Sequence, residues 1–424
     1  MHIDLVTTFV LASVGGAVAG QSDSVTVSIT KKTSSLPAGK HALSNDAVRI
    51  INIKNKISGI NTGVKSAIIP SNSAALINEQ NNLYTVPVTL SDGNVYTFDL
   101  DTGSSDLWVR GIECQGDDSC AGNAANYSDF SYVGFPFVDL YGSGAAAGYV
   151  FKANATIASF TSELLIGLTA IELQDTGSDG LLGLAFSSIG TLSYQVTPHV
   201  NISGNWFDAL NLDNPVFGFY LSNYADGDNG EVTFGGYDAA KYSGDPAWFD
   251  LQNIISRPTP SPGYWTISIN DWTWSVDATD SSPGGSGPLL DPKATYPIQY
   301  TIADTGTTLV YLPDVVFNSL ALGALKATYN PDPLVEDYVI PCTNSLPNVN
   351  FYSAVANATF SIPSSIYTYV AGTDSLNNTV CIPGFQPGGD QLGIFGDVFT
   401  RAYYTFFDKK NLRLGYAPAV HSVQ

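Results

Sequence analysis

From about Asn82 onward, apolar residues come in short runs rich in Tyr, Val, Phe, Thr and Ile, separated by Gly, Pro, Asn and Asp. Leu83–Leu90, Val95–Leu100, Val216–Leu221 and Glu231–Phe234 are examples, and each reads as a β-strand bounded by turns. Few stretches keep a helical period. Pro313–Leu325 is the best, with Pro at its start and apolar residues at Val315, Val316, Leu320 and Leu325. Ser281–Pro292, rich in Ser, Gly and Pro, reads as a surface loop. The pattern predicts an all-β protein.

The pattern also repeats. Val95-Tyr96-Thr97-Phe98-Asp99-Leu100 runs into Asp101-Thr102-Gly103-Ser104-Ser105. Far downstream, Ile298-Gln299-Tyr300-Thr301-Ile302-Ala303 runs into Asp304-Thr305-Gly306-Thr307-Thr308. Each copy is followed by two apolar residues and a glycine, Leu181-Leu182-Gly183 and Ile394-Phe395-Gly396. One supersecondary unit used twice predicts two related lobes, and 424 residues suit two lobes of about 150–200 residues each.

Composition sharpens this picture. The chain is 44% hydrophobic and 13% charged, which supplies sizeable cores and argues against disorder. An apolar run from Leu5 to Val18, ending in Ala17-Val18-Ala19-Gly20, reads as a secretion signal too short to span a bilayer. The final residues, Ala419–Gln424, carry no hydrophobic anchor signal. Charge is uneven. Up to Pro70 there are seven basic residues and three acidic ones; beyond it there are ten basic and 35 acidic. The basic arm either binds something else or folds over its own acidic body, and that acidic body excludes nucleic acid as a partner. The expected layout is a signal peptide at 1–20, a basic propeptide at 21–70 and lobes at 71–253 and 254–424.

The four cysteines allow three pairings. Cys114 and Cys120 could close a tight loop, and Cys342 and Cys381 a longer one. A zinc site would need close C-x-x-C or His partners, which the sequence lacks. Sequons at Asn126, Asn154, Asn201, Asn357 and Asn377 fit a secretory route and are glycosylation candidates.

An isolated Asp-Thr-Gly is usually a turn, and Asp175-Thr176-Gly177, followed by Ser178-Asp179-Gly180, reads as one. The copies at Asp101 and Asp304 differ, because each ends a strand and is followed by two hydroxyl residues. A strand fixes the carboxylate, the glycine lets backbone N–H groups approach it, and the next hydroxyl can bond its outer oxygen. Two such units brought together would set two carboxyls side by side sharing one proton, an acid and a base in one site.

On these motifs, residues 80–419 resemble the pepsin family of aspartic proteases. Asp101-Thr102-Gly103-Ser104-Ser105-Asp106-Leu107-Trp108-Val109 and Ile302-Ala303-Asp304-Thr305-Gly306-Thr307-Thr308 match the family's two active-site motifs. Asp179–Leu184 and Phe395–Tyr404 match further blocks. The resemblance implies a bilobal fold with a cleft between the lobes, and catalytic residues Asp101 and Asp304 supported by Thr102, Gly103, Ser104, Thr305, Gly306 and Thr307. It also implies a substrate-covering flap at Tyr141-Gly142-Ser143, with Trp108 supporting the Tyr141 hydroxyl, and disulfides Cys114–Cys120 and Cys342–Cys381. Asp99 falls beside the pocket for the residue before the scissile bond, where many relatives carry an aliphatic side chain. The Ser281–Pro292 segment departs from the mammalian enzymes.

The expectation is a monomeric, self-inhibited zymogen of an acid endopeptidase. It would act on protein or peptide substrates without cofactor, metal or membrane anchor, secreted or held in a vacuolar or lysosome-like compartment. The alternative is an inactive homologue serving as a binding or inhibitor protein, though both motifs and Tyr141 are intact. A serine hydrolase is excluded. It would need a histidine base, and only His199 lies between the two motifs.

Overall fold

In the computed structural model the described residues are 6–10, 26–30, 72–78 and 83–421, the last without 116–119, 121, 142–143, 174–176, 225–229, 255–261, 280–281, 290–299, 344 and 389–392. The chain divides into units at residues 1–40 and 41–424. In the first, Val6–Val10 pairs antiparallel with Thr26–Thr30. The expected cleavage segment Ala17–Gly20 and the arm lysines Lys31, Lys32, Lys54, Lys56 and Lys65 lie outside the described residues.

The second unit is built from sheets. The predicted strands form where the pattern put them, as Tyr84–Leu90, Val95–Asp101, Val216–Tyr220 and Glu231–Phe234. An eight-stranded sheet runs in the order Ile77–Asn78, Tyr84–Leu90, Val95–Asp101, Gly180–Gly183, Leu107–Gln115, Phe160–Leu173, Ala145–Ile157, Ser131–Leu140. Tyr84–Leu90 also pairs with Ala145–Ile157, which folds this sheet back on itself. Downstream, a five-stranded sheet contains Thr266–Ser268, Tyr300–Ala303, Gly393–Phe395, Val310–Leu312 and Phe385–Pro387.

The repeat in the sequence is a repeat in register. Leu100 stands opposite Leu182 in a parallel pair, and Leu182 stands opposite Leu107 in an antiparallel one. In the second copy Ala303, Phe395 and Val310 take the same three places. In both, the aspartate follows immediately on the first residue of the three. Two lobes of one plan therefore hold the two aspartate strands.

A six-stranded sheet draws on both expected lobes. Val216–Tyr220 lies beside Tyr403–Asp408 on one edge and Glu231–Phe234 on the other, and Ser73–Ala75 forms the border beyond. Val216–Tyr220 and Tyr403–Asp408 are buried along their whole length, as befits strands covered on both faces. Phe217 stacks on Phe407 with ring centroids 4.6 Å apart, and Trp265 meets both edge-on. Such aromatic pairs add about 0.5–1.5 kcal/mol each beyond their buried area.

The Pro313–Leu325 helix forms as one turn, Asp314–Phe317, followed by a wider π-helical stretch, Asn318–Ala324. Val316, Phe317, Leu320 and Leu325 are buried, whereas Val315 faces outward. The Ser281–Pro292 loop is corrected in part. Gly285–Pro288 is a strand paired with Trp272–Val276, and the Ser282 hydroxyl donates to the Ala324 carbonyl. Glycine makes this possible, since a Cβ at Gly287 would stand 3.1 Å from the Trp274 ring nitrogen. The indole takes the space a side chain would fill.

Candidate active site

Asp101 ends the strand Val95–Asp101, and Asp304 follows the strand Tyr300–Ala303. The backbone then turns sharply in both motifs. Gly103 N–H donates to Asp101 Oδ1 at 2.7 Å, and Gly306 N–H donates to Asp304 Oδ1 at 3.0 Å. The Thr307 hydroxyl donates to Asp304 Oδ2 at 2.7 Å. Ser104, its counterpart, lies close enough to lower the Asp101 carboxyl, although its buried hydroxyl makes no hydrogen bond among the described residues. Each carboxyl is thus fixed by the loop that follows it.

Reciprocal contacts join the loops. Thr102 N–H donates to Thr305 Oγ1 at 3.1 Å, and Thr305 N–H donates to Thr102 Oγ1 at 3.0 Å. Those hydroxyls then donate across the interface, Thr102 to the Ala303 carbonyl at 2.8 Å and Thr305 to the Leu100 carbonyl at 2.5 Å. Both threonines are buried. The glycines explain how close the halves come. A Cβ on Gly103 would fall 2.5 Å from Asp304 Oδ1, and one on Gly306 would fall 2.6 Å from Asp101 Oδ1. Real Cβ atoms do not approach that closely, so a side chain at either position would displace the opposite carboxyl.

Asp101 and Asp304 are both buried, each packed against the other motif's glycine. Burial first, then the Asp304 and Asp99 carboxyls, push the Asp101 carboxyl well above its usual range, against a downward pull from Ser104. Two carboxyls so placed have the chemistry to act as an acid and a base in one site. Asp99 is buried as well. Burial, then Asp304, raises its carboxyl, and its Oδ1 has no hydrogen-bond partner among the described residues.

Trp108 Nε1–H donates to the Tyr141 hydroxyl at 2.6 Å. Tyr141 sits just past the strand Ser131–Leu140, whose antiparallel partner is Ala145–Ile157. The hairpin's Gly142 and Ser143 lie outside the described residues, as do Asp175 and Thr176. Cys114 is joined to Cys120 and Cys342 to Cys381. All five sequon asparagines, Asn126, Asn154, Asn201, Asn357 and Asn377, are exposed.

Several buried polar residues around the site carried no role in the sequence reading. Asp106 and Asp139 lie beside Tyr141. Asp397, beyond the second apolar-apolar-Gly segment, donates its backbone N–H to the Thr307 carbonyl at 2.8 Å and lies by the buried Arg401. Asn205 Nδ2 donates to the Ser105 carbonyl at 3.0 Å and braces the first motif from behind. For Asp139 a signal was present. It stands two residues before Tyr141, so on a strand both point to one side.

A strand-borne carboxyl pair cross-tied by threonines, with a tyrosine-bearing hairpin in the first lobe, defines an aspartic endopeptidase. The comparisons agree. The eukaryotic aspartyl protease family model matches residues 84–419. Penicillopepsin-1 of Penicillium janthinellum is 31% identical over 349 residues, covering 79% of this chain and 94% of that protein. Rhizopuspepsin-1 of Rhizopus niveus is 29% identical over 414 residues, covering 94% and 93%. Aspergillopepsin-1 of Aspergillus fumigatus is 30% identical over 406 residues, covering 92% and 89%. The chain belongs to the eukaryotic aspartyl protease family and has its bilobal, pepsin-like all-β fold.

Proposed function

We propose that Asp101 and Asp304 are the catalytic pair of a secreted, acid-active endopeptidase made as a self-inhibited precursor. One observation carries the assignment of the pair: each motif glycine leaves room only for the other lobe's carboxyl. In the reaction, the ionised carboxyl takes a proton from a water between the two aspartates while the protonated one donates to the scissile carbonyl oxygen. The water oxygen adds to the carbonyl carbon, and collapse of the resulting diol returns a proton to the leaving amine. Thr102 and Thr305 fix the two carboxyls relative to each other, and Tyr141 covers the bound peptide. Asp101→Asn or Asp304→Asn removes the shared proton site without changing side-chain size. Each variant is expected to fold, by circular dichroism, and to lose peptide cleavage at pH 4. Full activity in Asp304→Asn would overturn the assignment, and Asp175→Asn should cleave normally.

Secretion is supported by two disulfides, by exposed sequons and by the apolar N-terminal run. Among the described residues no helix is long and apolar enough to cross a membrane. The precursor reading rests on the charge asymmetry. A lysine of the basic arm, with Lys54, Lys56 and Lys65 the candidates, is held by the carboxylates of the cleft at neutral pH and released as they protonate. The junction is proposed near Ile68–Ala75, and the pairing of Ser73–Ala75 with Glu231–Thr233 in the six-stranded sheet supports self-cleavage ahead of that strand.

A further inference from the structure

Near the flap lies a second pair of buried acids that the reaction does not use. Asp106 and Asp139 are 4% and 8% exposed, and their carboxyls are close enough to shift each other's protonation. Asp106 stands in the first motif, and its oxygens accept the backbone N–H groups of Thr191 at 2.5 Å and Leu192 at 3.1 Å. Gly190 closes over it, with a Cβ there only 2.8 Å from Asp106 Oδ1. Asp139 comes from the flap strand and also bonds the Thr191 side chain. Its Oδ2 lies 3.5 Å from the Tyr141 hydroxyl. Trp108 already donates to that hydroxyl, so the one proton of Tyr141 points to an acceptor, and Asp139 is the acceptor at hand.

We propose that Asp139 is a positioning residue for the flap: with Asp106 it forms an acid pair that holds the Tyr141 hydroxyl, and peptide affinity follows the charge on that pair. This inference rests on Tyr141 being the substrate-covering flap residue. With one proton on the pair, Asp139 offers an anionic oxygen and the flap is pinned at Trp108 and Asp139 together. When the second proton leaves, two neighbouring carboxylates repel each other and the pin is lost. Burial raises both carboxyls, so the single-proton form lies above the usual carboxylate range, with both protons held below it and both lost above it. No cation opposes this among the described groups. Tyr141 feels Asp139, Asp106 and, more weakly, Asp101. On the neighbouring elements His199 stacks on Phe135, and the Lys152–Glu163 ion pair lies far along the sheet, where Lys152 stands opposite Ser131.

The test is the dissociation constant of a non-hydrolysable reduced-bond peptide, measured from pH 4 to pH 7 on the activated enzyme, with KM and kcat for the cleavable parent peptide. Asp139→Asn keeps the size and can still accept from Tyr141, but carries no charge. It is expected to bind about tenfold more weakly than wild type in the pH range where the pair holds one proton, the loss of one charge-assisted hydrogen bond, with the gap closing on the alkaline side of that range. The loss falls on KM more than on kcat. Tyr141→Phe should show the same closing gap with Asp139 intact, so a poorly folded Asp139→Asn does not end the test. The double variant should be no weaker than the worse single one. A gap that stays constant with pH in either variant overturns the proposal. If Tyr141→Phe weakens binding while Asp139→Asn binds like wild type, only the role of Asp139 falls. If Tyr141→Phe changes nothing at any pH, the flap assignment falls and this inference with it.

Discussion

Thr305→Val removes one hydroxyl and nearly nothing else, because valine matches threonine in shape. The structure says what that hydroxyl does. It accepts the Thr102 N–H and donates to the Leu100 carbonyl, both across the interface between the two motifs. Valine would leave that N–H and that carbonyl unpaired where no water reaches them. Each such group costs about 1–3 kcal/mol. Part of this is recovered as the motifs ease apart, so the expected loss is about 2–4 kcal/mol. For a folded chain of this length that lowers the midpoint of thermal unfolding by about 3–6 °C. Scanning calorimetry at pH 4 measures it, with Thr156→Val as control. Thr156 also bonds a hydroxyl, that of Thr161 at 2.8 Å, but at the surface, and its loss should cost less than about 0.5 kcal/mol. Thr102→Val strands a different pair of groups, Thr305 N–H and the Ala303 carbonyl, but the two hydroxyls lie 3.5 Å apart in one network, so the double variant should depart from the sum. A Thr305→Val protein as stable as the control would refute the view that these hydroxyls tie the halves together.

The remaining predictions concern charge. Asp99, Asp101, Asp106 and Asp397 all have carboxyls raised chiefly by burial. A raised acid stabilises the fold fully below its unfolded value and stops doing so as pH rises through its folded value, so unfolding is expected at a higher temperature at pH 4 than at pH 7.5. The reverse order, from calorimetry at both pH values, would contradict this. Asp408 runs the other way, its carboxyl lowered by Asn411 and Arg413 against the upward effect of burial, and its contribution is lost only in stronger acid. Asp99 is buried beside the catalytic pair with an unpartnered oxygen and a raised carboxyl, so the preference it gives for a basic residue before the scissile bond should be weak in acid and grow as pH rises. Asp99→Val is expected to lower the ratio of cleavage at Lys to cleavage at Phe in matched peptides, and an unaltered ratio would dismiss that role. Full-length Asp101→Asn protein held at pH 3 should stay uncut while wild type shortens by several kilodaltons; equal shortening in protease-free preparations would rule out self-activation.

Much of this molecule was legible because its chemistry is local. The strand into Asp101 alternates, its turn needs glycine, and the whole unit occurs twice, so the paired site could be read from spacing. Tyr141 and Trp108 came from resemblance, and their bond formed. What escaped depended on contacts distant in sequence. Asp106 gains meaning only when Thr191 and Leu192 donate to it, and Asp139 only when its strand is laid beside Asp106. Gly285–Pro288 failed as a loop for the same reason. Glycine and serine read as a turn until Trp274 is laid over them.

The six-stranded sheet has a kinetic consequence. Ser73–Ala75 reaches Glu231–Thr233, and Val216–Phe219 reaches Thr405–Asp408, so its pairings close loops of well over a hundred residues. Loop closure of that kind is paid in chain entropy before any contact rewards it, which makes such a sheet slow to nucleate. The same sheet is among the most deeply packed parts of the protein and must open for the chain to unfold. A barrier that is high from both directions means that the active lifetime of the mature enzyme is set by how rarely it unfolds. Once opened, the chain faces that slow closure again, and aggregation or digestion competes with its return.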